Sequence, residues 1–294
     1  MRLLICSDGT DPEDKPAKLG GLIAGPCHAD TTLLGIVETP DEDQPLRLAL
    51  NIEAALLLSY GVSPEVVVRA GEPIRQILNQ TAENHYDIAV IGARLKGAAG
   101  SYCYSERTYE VIKAVPPPVL VATGEFEQIK RILVCTGGKR YIEDAVRLTG
   151  KLATCLGASV TLLHVMAEPP AIYADLVRLE EDVNQLLKSN SELGINLRAQ
   201  KEELEGLGVP TEVHVRHGLV LDQVLAETRT GDYDLIVTGS SQARGVIRHY
   251  IMGDLTRSIL NHANCPVLVV RAGQPARTGG FWDFLKRLFL RQQS

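Results

Sequence analysis

The stretch Gly208–Leu225, GVPTEVHVRHGLVLDQVL, decides the fold because Gly61–Leu78, GVSPEVVVRAGEPIRQIL, repeats it 147 residues earlier. Over the longer segments Gly61–Gly92 and Gly208–Gly239, 14 of 32 positions are identical. An internal period of this length indicates two copies of one structural unit. We therefore predict two similar domains and a separate carboxyl-terminal segment, at residues 1–125, 130–272 and 273–294.

Each copy alternates short runs of aliphatic and β-branched residues with longer stretches of helical periodicity. This alternation is typical of βαβ units, so we predict an α/β fold with five parallel strands per copy. Helices are predicted at 43–60 and at 73–84, where Pro73 suits a helix start. The strands predicted in the first copy are Arg2–Cys6, Thr32–Val37, Glu65–Arg69, Asp87–Ile91 and Val119–Val121.

Composition places the chain among ordinary globular proteins, with 45% hydrophobic and 22% charged residues. The net charge of −6 argues against nucleic acid as a partner, because a polyanionic backbone requires clustered lysine and arginine. The six cysteines are scattered without the spacing of a zinc site or a redox couple, and we interpret them as small buried hydrophobic residues. The first apolar run, of four residues, is too short for a signal peptide or membrane span, so we expect a cytoplasmic protein.

Four motifs stand out along the chain. They are a first strand followed by Asp8 and Gly9, the helix start at Gly71–Leu78, the strand Asp234–Gly239 and the closing segment His262–Val270. Over about nine tenths of the chain, this pattern resembles the universal stress protein family. The resemblance implies two tandem Rossmann-like, doubly wound domains, each with strand order 3-2-1-4-5. It also implies edge-to-edge pairing of last strands, here Val119–Val121 with Val267–Val270, which would cover two apolar edges.

Members of that family that bind ATP share a GxxGx(9)G(S/T) loop after the fourth strand. Glycines let the backbone approach phosphate oxygens, and helix-start amides with a hydroxyl group donate hydrogen bonds to them. This chain keeps Gly92, Gly239 and Gly253 but departs from the pattern elsewhere. Leu95 and Gln242 replace the second glycine, Ser105 replaces the third glycine of the first copy, and Glu106 and Asp254 occupy the hydroxyl positions.

An acid at the hydroxyl position repels phosphate and competes for the same helix-start amides. The acid that approaches adenosine in the family survives as Asp8 but is Gly137 in the second copy, whereas Ile36 and Val165 match positions that line the adenine pocket. We therefore predict two weak, degenerate nucleotide sites and no bound cofactor; the alternative is ATP or AMP. The interpretation that these observations favour is that the remaining glycines serve only the tight strand-to-helix turns of the fold. The predicted site residues are Asp8, Ile36, Gly92, Val165, Gly239 and Gly253.

We find no pattern for a catalytic nucleophile, and the seven histidines form no zinc motif. His164, at a predicted strand end, is interpreted as a satisfied core or rim histidine rather than a general base. CTGGKR, after the first strand of the second copy, lacks the Asp and Ser of an ATP-ligase loop. No enzyme class is predicted beyond, at most, a weak ATPase.

The second copy contains about 18 additional residues, within the segment 171–208. Apolar residues recur there every three to four positions, with Asn190 and Gln200 as polar exceptions. The pattern predicts a long amphipathic helix that packs on its own sheet or, alternatively, projects as a coiled-coil arm; Gly194 should weaken or bend it. The apolar series is Leu176, Leu179, Val183, Leu186, Leu193, Leu197, Leu204 and Leu207.

The carboxyl-terminal segment ends in FWDFLKRLFLRQQS, which holds three of the four phenylalanines and the only tryptophan. As a helix it would place apolar residues on one face and Lys286, Arg287 and Arg291 on the other. Such a helix is typical of membrane interfaces, although docking on its own protein, a second copy or another protein partner is the alternative. The residues expected to make contact are Phe281, Trp282, Phe284, Leu285, Leu288 and Phe289.

These observations together predict a non-enzymatic regulatory binding protein of the stress response with impaired or absent ATP binding. The carboxyl-terminal helix would attach it to a membrane or a membrane protein. The alternative is an ATP- or AMP-binding protein with slow hydrolysis that uses Asp8, Gly92, Gly239 and Gly253.

Overall fold

The structure, a computed structural model, describes residues 1–11, 13–93, 106–137, 142–166, 183–240 and 251–271. Its strands and helices alternate along both copies, which confirms the predicted α/β class. In the first copy the elements are β1 (Arg2–Ser7), α1 (Lys15–Ala24), β2 (Asp30–Val37), α2 (Asp43–Ser59), β3 (Glu65–Ala70), α3 (Pro73–Glu83), β4 (Ile88–Gly92), α4 (Glu106–Ala114) and β5 (Val119–Ala122). In the second they are β6 (Arg131–Thr136), α5 (Glu143–Leu156), β7 (Ser159–Met166), α6 (Val183–Lys188), α7 (Glu192–Gly206), β8 (Thr211–His217), α8 (Val220–Gly231), β9 (Leu235–Ser240), α9 (Ile251–His262) and β10 (Val267–Arg271).

The described strands form one sheet in the order β3-β2-β1-β4-β5-β10-β9-β6-β7-β8. Counted within each copy, the order is 3-2-1-4-5, and neighbouring strands of the same copy are parallel. The predicted pairing of the two last strands is also present: β5 and β10 are antiparallel, with Val119, Leu120 and Val121 opposite Val269, Leu268 and Val267. Both apolar strand edges are thereby covered inside one chain.

Helices cover both faces of this sheet. One face packs against α1, α2, α5, α6 and α7, and the other packs against α3, α4, α8 and α9. The strands carry fully buried residues on both faces because a parallel sheet is covered on both sides. None of the helices in the described ranges has the length and apolar content needed to cross a bilayer.

The insertion of the second copy does not form one continuous helix within its described part. The helix is interrupted at 189–191, where the Ser191 hydroxyl accepts a hydrogen bond from the Gly194 N–H at 3.0 Å and caps α7. Gly194 was expected to bend the helix, but it lies in the first turn of α7, where a Cβ would approach the Leu186 carbonyl oxygen to 2.3 Å. The expected packing on the same chain is observed for the buried residues Leu186, Leu197 and Leu204. The earlier part of the predicted series, with Leu176 and Leu179, lies outside the described residues.

Candidate functional site

A cavity of about 600 Å³ opens at the carboxyl ends of β1 and β4. These strands are neighbours, but the chain continues from β1 to β2 on one side and from β4 to β5 on the other. Open α/β sheets bind ligands where the connections diverge in this way. The described residues that line the cavity include Ser7, Asp8, Thr10, Asp11, Glu13, Lys15, Pro16, Ile36, Glu38, Ile77, Ile91, Gly92, Thr108, Val111 and Thr123.

Three of the predicted site residues meet in this cavity: Asp8 after β1, Ile36 on β2 and Gly92 at the end of β4. A Cβ at Gly92 would lie 3.3 Å from Cγ of Pro16, which is closer than most real Cβ contacts. The glycine therefore allows the first turn of α1 to approach β4, as the turn interpretation of the glycines expects.

The other three predicted residues belong to the second copy and do not line this cavity. Val165 lies on β7, half-buried, and packs against the apolar cluster under α8 and α9. Gly239 lies on β9, where a Cβ would be 3.1 Å from Cδ1 of Ile142. Gly253 is the third residue of α9 rather than part of a loop before it, because that helix begins at Ile251.

The two acidic residues predicted to replace the phosphate-binding hydroxyl occupy different helix positions. Glu106 is the first residue of α4, whereas Asp254 is the fourth residue of α9, one turn inside the helix. Their side chains, together with Leu95, Ser105 and Gln242, lie outside the described residues.

The turn after β1 fixes the Asp8 carboxylate at the cavity wall. Asp8 Oδ1 accepts hydrogen bonds from the Thr10 N–H at 3.0 Å and from the Thr10 hydroxyl at 2.7 Å. Gly9 follows with a positive φ of 66°, a conformation that glycine adopts without steric penalty. The carboxylate is thus held by its own turn.

Beneath this turn lies a buried acid, Glu53 of α2, which is 1% exposed. Its Oε1 accepts a hydrogen bond from the Ser7 hydroxyl at 2.5 Å, whereas Oε2 is buried without a hydrogen-bond partner. Burial, reinforced by the nearby carboxylates of Asp14 and Asp8, raises the pKa of Glu53 to about 7, against the opposing effect of the Ser7 hydrogen bond. Glu53 therefore changes charge near neutral pH.

Among the described residues of the cavity wall, carboxylates outnumber cations. Asp8, Asp11, Glu13 and Glu38 face one ammonium group within this described part, that of Lys15. Lys15 Nζ lies 2.9 Å from Glu13 Oε2 and 3.3 Å from Glu125 Oε1. Burial lowers the pKa of Lys15, but its hydrogen bonds to these two glutamates outweigh that effect and raise the pKa. The ammonium group is therefore already engaged by two carboxylates.

In the second copy, the two described residues at the corresponding corner are uncharged. Thr136 and Gln200 take the places of Ser7 and Glu53, and the Thr136 hydroxyl donates a hydrogen bond to Gln200 Oε1 at 3.0 Å. His164 Nδ1 lies 2.9 Å from the Thr136 carbonyl oxygen, and burial lowers the pKa of this histidine despite that contact. His164 is thus a satisfied rim histidine, as its position in the sequence predicts.

Sequence reasoning identified Asp8, Ile36 and Gly92 as residues of this site. It missed Glu53 and the ion pairs that Lys15 forms with two glutamates. A signal for Glu53 was present, since positions 46, 50, 53 and 57 share one face of α2, and the other three are buried leucines. An acid on a buried apolar stripe is uncommon unless it has a specific partner. Lys15 gave no such signal, because its second partner lies 110 residues away.

The chain is similar to universal stress proteins. Residues 128–271 match the model of the universal stress protein family. Universal stress protein Slr1230 of Synechocystis is 21% identical over 306 residues, which cover 92% of this chain and 99% of that protein. Universal stress protein MJ0577 of Methanocaldococcus jannaschii is 25% identical over 154 residues, covering 48% of this chain and 94% of that protein. The crystal structure of a universal stress protein from Archaeoglobus fulgidus shares the fold with a TM-score of 0.72 at 18% identity, covering 92% of this chain and 98% of the other.

Proposed function

Because the chain belongs to the universal stress protein family, we propose that it is a non-enzymatic regulatory protein whose first copy binds a small molecule without a polyphosphate. The observation that carries this proposal is the charge of the described part of the cavity wall, where four carboxylates face one lysine that is already paired. The apolar part of the wall, with Ile36, Ile77 and Val111, favours a ligand with a flat or aliphatic body.

Electrostatics disfavours a triphosphate in this cavity. Two like charges 4 Å apart repel by about 4 kcal/mol at the effective dielectric constant of a protein surface. An ATP molecule would bring several negative charges towards Asp8 and Glu38 and would have to take Lys15 from its two glutamates. A neutral nucleoside or a cationic ligand meets no such repulsion.

The deciding experiment is a calorimetric titration of the full chain with ATP, AMP and adenosine at pH 7.5. We expect no heat of binding from ATP at concentrations that saturate the nucleotide sites of ATP-binding universal stress proteins. Micromolar ATP binding, with or without release of inorganic phosphate, would instead support the alternative of a nucleotide-binding protein with slow hydrolysis that uses Asp8 and Gly92.

A pair of charge variants sharpens the result. Asp11→Asn with Glu13→Gln removes two negative charges from the cavity wall and releases Lys15 from one partner. Glu192→Gln with Glu202→Gln, on the exposed surface of α7, removes the same charge elsewhere. The first variant should gain affinity for AMP over the unmodified chain, more strongly at low salt, and the second should not. Equal behaviour of both variants would contradict the electrostatic argument.

We further propose that residues 281–291 attach the protein to an anionic membrane surface. The support is the sequence alone, with aromatic anchors on one helical face and Lys286, Arg287 and Arg291 on the other; the segment lies outside the described residues. The full chain should sediment with vesicles containing phosphatidylserine, and a chain that ends at Arg271 should not. If both forms stay in solution, with the full chain at a larger mass, the segment joins protein to protein instead.

A further inference from the structure

A buried hydroxyl group without a hydrogen-bond partner belongs to the wall of the first-copy cavity. Thr123 directly follows β5, lines the cavity and is 1% exposed. In the described part of the chain, four buried side-chain polar atoms have no hydrogen-bond partner, and of these Thr123 Oγ1 alone belongs to a residue that lines the cavity. Because buried hydroxyl groups are normally hydrogen-bonded, Thr123 indicates a contact with a molecule that enters the cavity.

The second copy shows that the fold does not require a hydroxyl group at this position. Pro118–Thr123, PVLVAT, corresponds to Pro266–Arg271, PVLVVR, so the counterpart of Thr123 is Arg271. Arg271 Nη1 donates a hydrogen bond to the Lys113 carbonyl oxygen at 2.6 Å, a contact that a threonine is too short to make. A short hydroxyl side chain and a long cationic one therefore follow equivalent strands of the same sheet, and the Thr123 hydroxyl is not needed to form the strand end.

The backbone around Thr123 is held firmly in place. β5 pairs with β4 on one side and with β10 of the second copy on the other. The next residue, Gly124, has a φ of 69°, and a Cβ there would lie 1.9 Å from the Asn264 carbonyl oxygen, so the second copy packs directly against this backbone. The Thr123 hydroxyl is thus fixed before any ligand arrives, and a ligand that bonds it does not have to order this part of the wall.

The described part of the cavity wall has a charged side and an uncharged side. Its carboxylates belong to segments that follow β1 and β2, whereas Thr123 lies on the side formed by β4, β5 and α4. β1 and β5 are separated by β4, so the two sides lie about 10 Å apart at the usual spacing of neighbouring strands. The described lining residues of the uncharged side are Ile91, Gly92, Ala93, Thr108, Val111, Ala122, Thr123 and Gly124.

We propose that Thr123 is a specificity-determining residue of the first copy, whose hydroxyl group hydrogen-bonds an uncharged polar group of the ligand, such as a hydroxyl, an amide or a ring nitrogen. This inference rests on the proposed function, because it takes the cavity as the binding site. The body of the ligand lies against the apolar residues around Thr123. A molecule of the same shape without a hydrogen-bonding group at that end leaves the hydroxyl unpaired and binds more weakly.

The test is a calorimetric titration of the full chain and its variants with adenosine, which is uncharged at pH 7.5 and carries hydrogen-bonding groups on its ring and its sugar. Thr123→Val keeps the shape of the side chain and removes the hydroxyl, so it should weaken adenosine binding roughly tenfold. Thr123→Ser keeps the hydroxyl and should bind within about threefold of the unmodified chain. Thr149→Val is the matched control: its hydroxyl is also buried without a partner, but Thr149 lies on α5 away from the cavity, so affinity should not change.

Thermal unfolding without ligand separates a binding role from a structural one. Thr123→Val should unfold at the same temperature as the unmodified chain or higher, because valine gives up no hydrogen bond, and a lower temperature would show that the hydroxyl serves the fold. Equal adenosine affinity of Thr123→Val and the unmodified chain would overturn this inference and leave the proposed function standing. Failure of the unmodified chain to bind adenosine would also overturn it, whereas tighter binding of ATP than of adenosine would contradict the proposed function itself.

Discussion

Glu227 of α8 offers a sharp test of how charge is used in this fold, because the other copy contains the uncharged version of the same contact. Glu227 is 3% exposed and accepts hydrogen bonds from Arg216 Nε at 2.5 Å, His214 Nδ1 at 2.7 Å and the Tyr233 hydroxyl at 2.8 Å. The offset of 147 places Gln80 at this position in the first copy. The perturbation is therefore Glu227→Gln.

The first copy shows how a glutamine satisfies the same neighbours. Gln80 Oε1 accepts from Arg69 Nε at 2.8 Å, and Gln80 Nε2 donates to the Tyr86 hydroxyl at 2.8 Å. Position 67 there is valine, so the first copy has no counterpart of His214. Glu227→Gln would keep the contacts to Arg216 and Tyr233, but without the carboxylate charge, and would also weaken the contact to His214.

The magnitude follows from the change in bond type. A hydrogen bond to a charged group contributes about 1.5–3 kcal/mol and a neutral one about 0.5–1.5 kcal/mol. Three charge-assisted bonds are weakened, and relief from burying a carboxylate offsets part of the loss. We expect Glu227→Gln to lower the free energy of unfolding by about 2 kcal/mol at pH 7.

The assay is urea unfolding followed by circular dichroism, with the slope of each transition compared between variants. The double variant Glu227→Gln with His214→Val recreates the arrangement of the first copy and should be less destabilised than the sum of the single variants, by about 1 kcal/mol. Glu202→Gln, at an exposed position in the middle of α7, is the matched control and should change stability by less than about 0.5 kcal/mol. If Glu227→Gln were as stable as the unmodified chain, the carboxylate would not be stabilising.

The pH dependence provides an independent check. Burial raises the pKa of Glu227, but the hydrogen bonds from His214, Tyr233 and Arg216 outweigh it, so the pKa lies below its ordinary value of 4.5. A depressed acid pKa stabilises the folded state above the unfolded pKa, and this stability is lost as the pH falls through the folded pKa. The difference between the unmodified chain and Glu227→Gln should be full above about pH 5.5 and shrink below pH 4.5.

Further substitutions have equally direct outcomes. Gly124→Ala should cost about 3 kcal/mol or more in thermal unfolding, because φ is 69° and a Cβ would meet the Asn264 carbonyl oxygen at 1.9 Å; Gly61→Ala, at φ 75° with no atom within 4 Å, should cost only about 1 kcal/mol. The raised pKa of Glu53 predicts that the free energy of unfolding of the unmodified chain falls as the pH rises from 4.5 to about 7, because the folded state must then bury a charged carboxylate. Glu53→Gln should make this fall smaller, and an unchanged fall would refute the burial of that charge. Ser191→Ala should lower stability by about 1 kcal/mol through loss of the α7 cap, and no change would show that the cap is dispensable.

The elements that the sequence predicted well are those fixed by local pattern. The strand bounds and the helices at 43–60 and 73–84 fall within about two residues of those observed, because buried parallel strands produce continuous apolar runs. The β5–β10 pairing followed from the family resemblance and is present. The long helix of the insertion was predicted from its apolar rhythm, but the capping bond of Ser191 competes with helix continuation and divides it.

The features that could not be predicted from the sequence depend on the three-dimensional arrangement of the two copies. The interpretation of the cysteines as small buried residues is wrong for Cys155, which is exposed in the last turn of α5. Lys15 and Glu125 meet only because the chain crosses from β5 to the second copy beside α1. Contacts of this kind carry no local periodicity, so only the assembled sheet reveals them.

At two corresponding positions, one copy has a glutamate where the other has a glutamine. This difference in charge argues that the two copies have different roles. At the cavity corner the first copy has Glu53 and the second has Gln200, whereas on the helix that packs next to the outer strand the first has Gln80, in α3, and the second has Glu227, in α8. Glutamine and glutamate have nearly the same shape, and Gln200 satisfies its hydroxyl partner as Glu53 does. The fold therefore does not require the carboxylate of Glu53. The first copy thus keeps a buried acid with an unpartnered oxygen beneath Asp8, which supports the proposal that this copy binds the ligand.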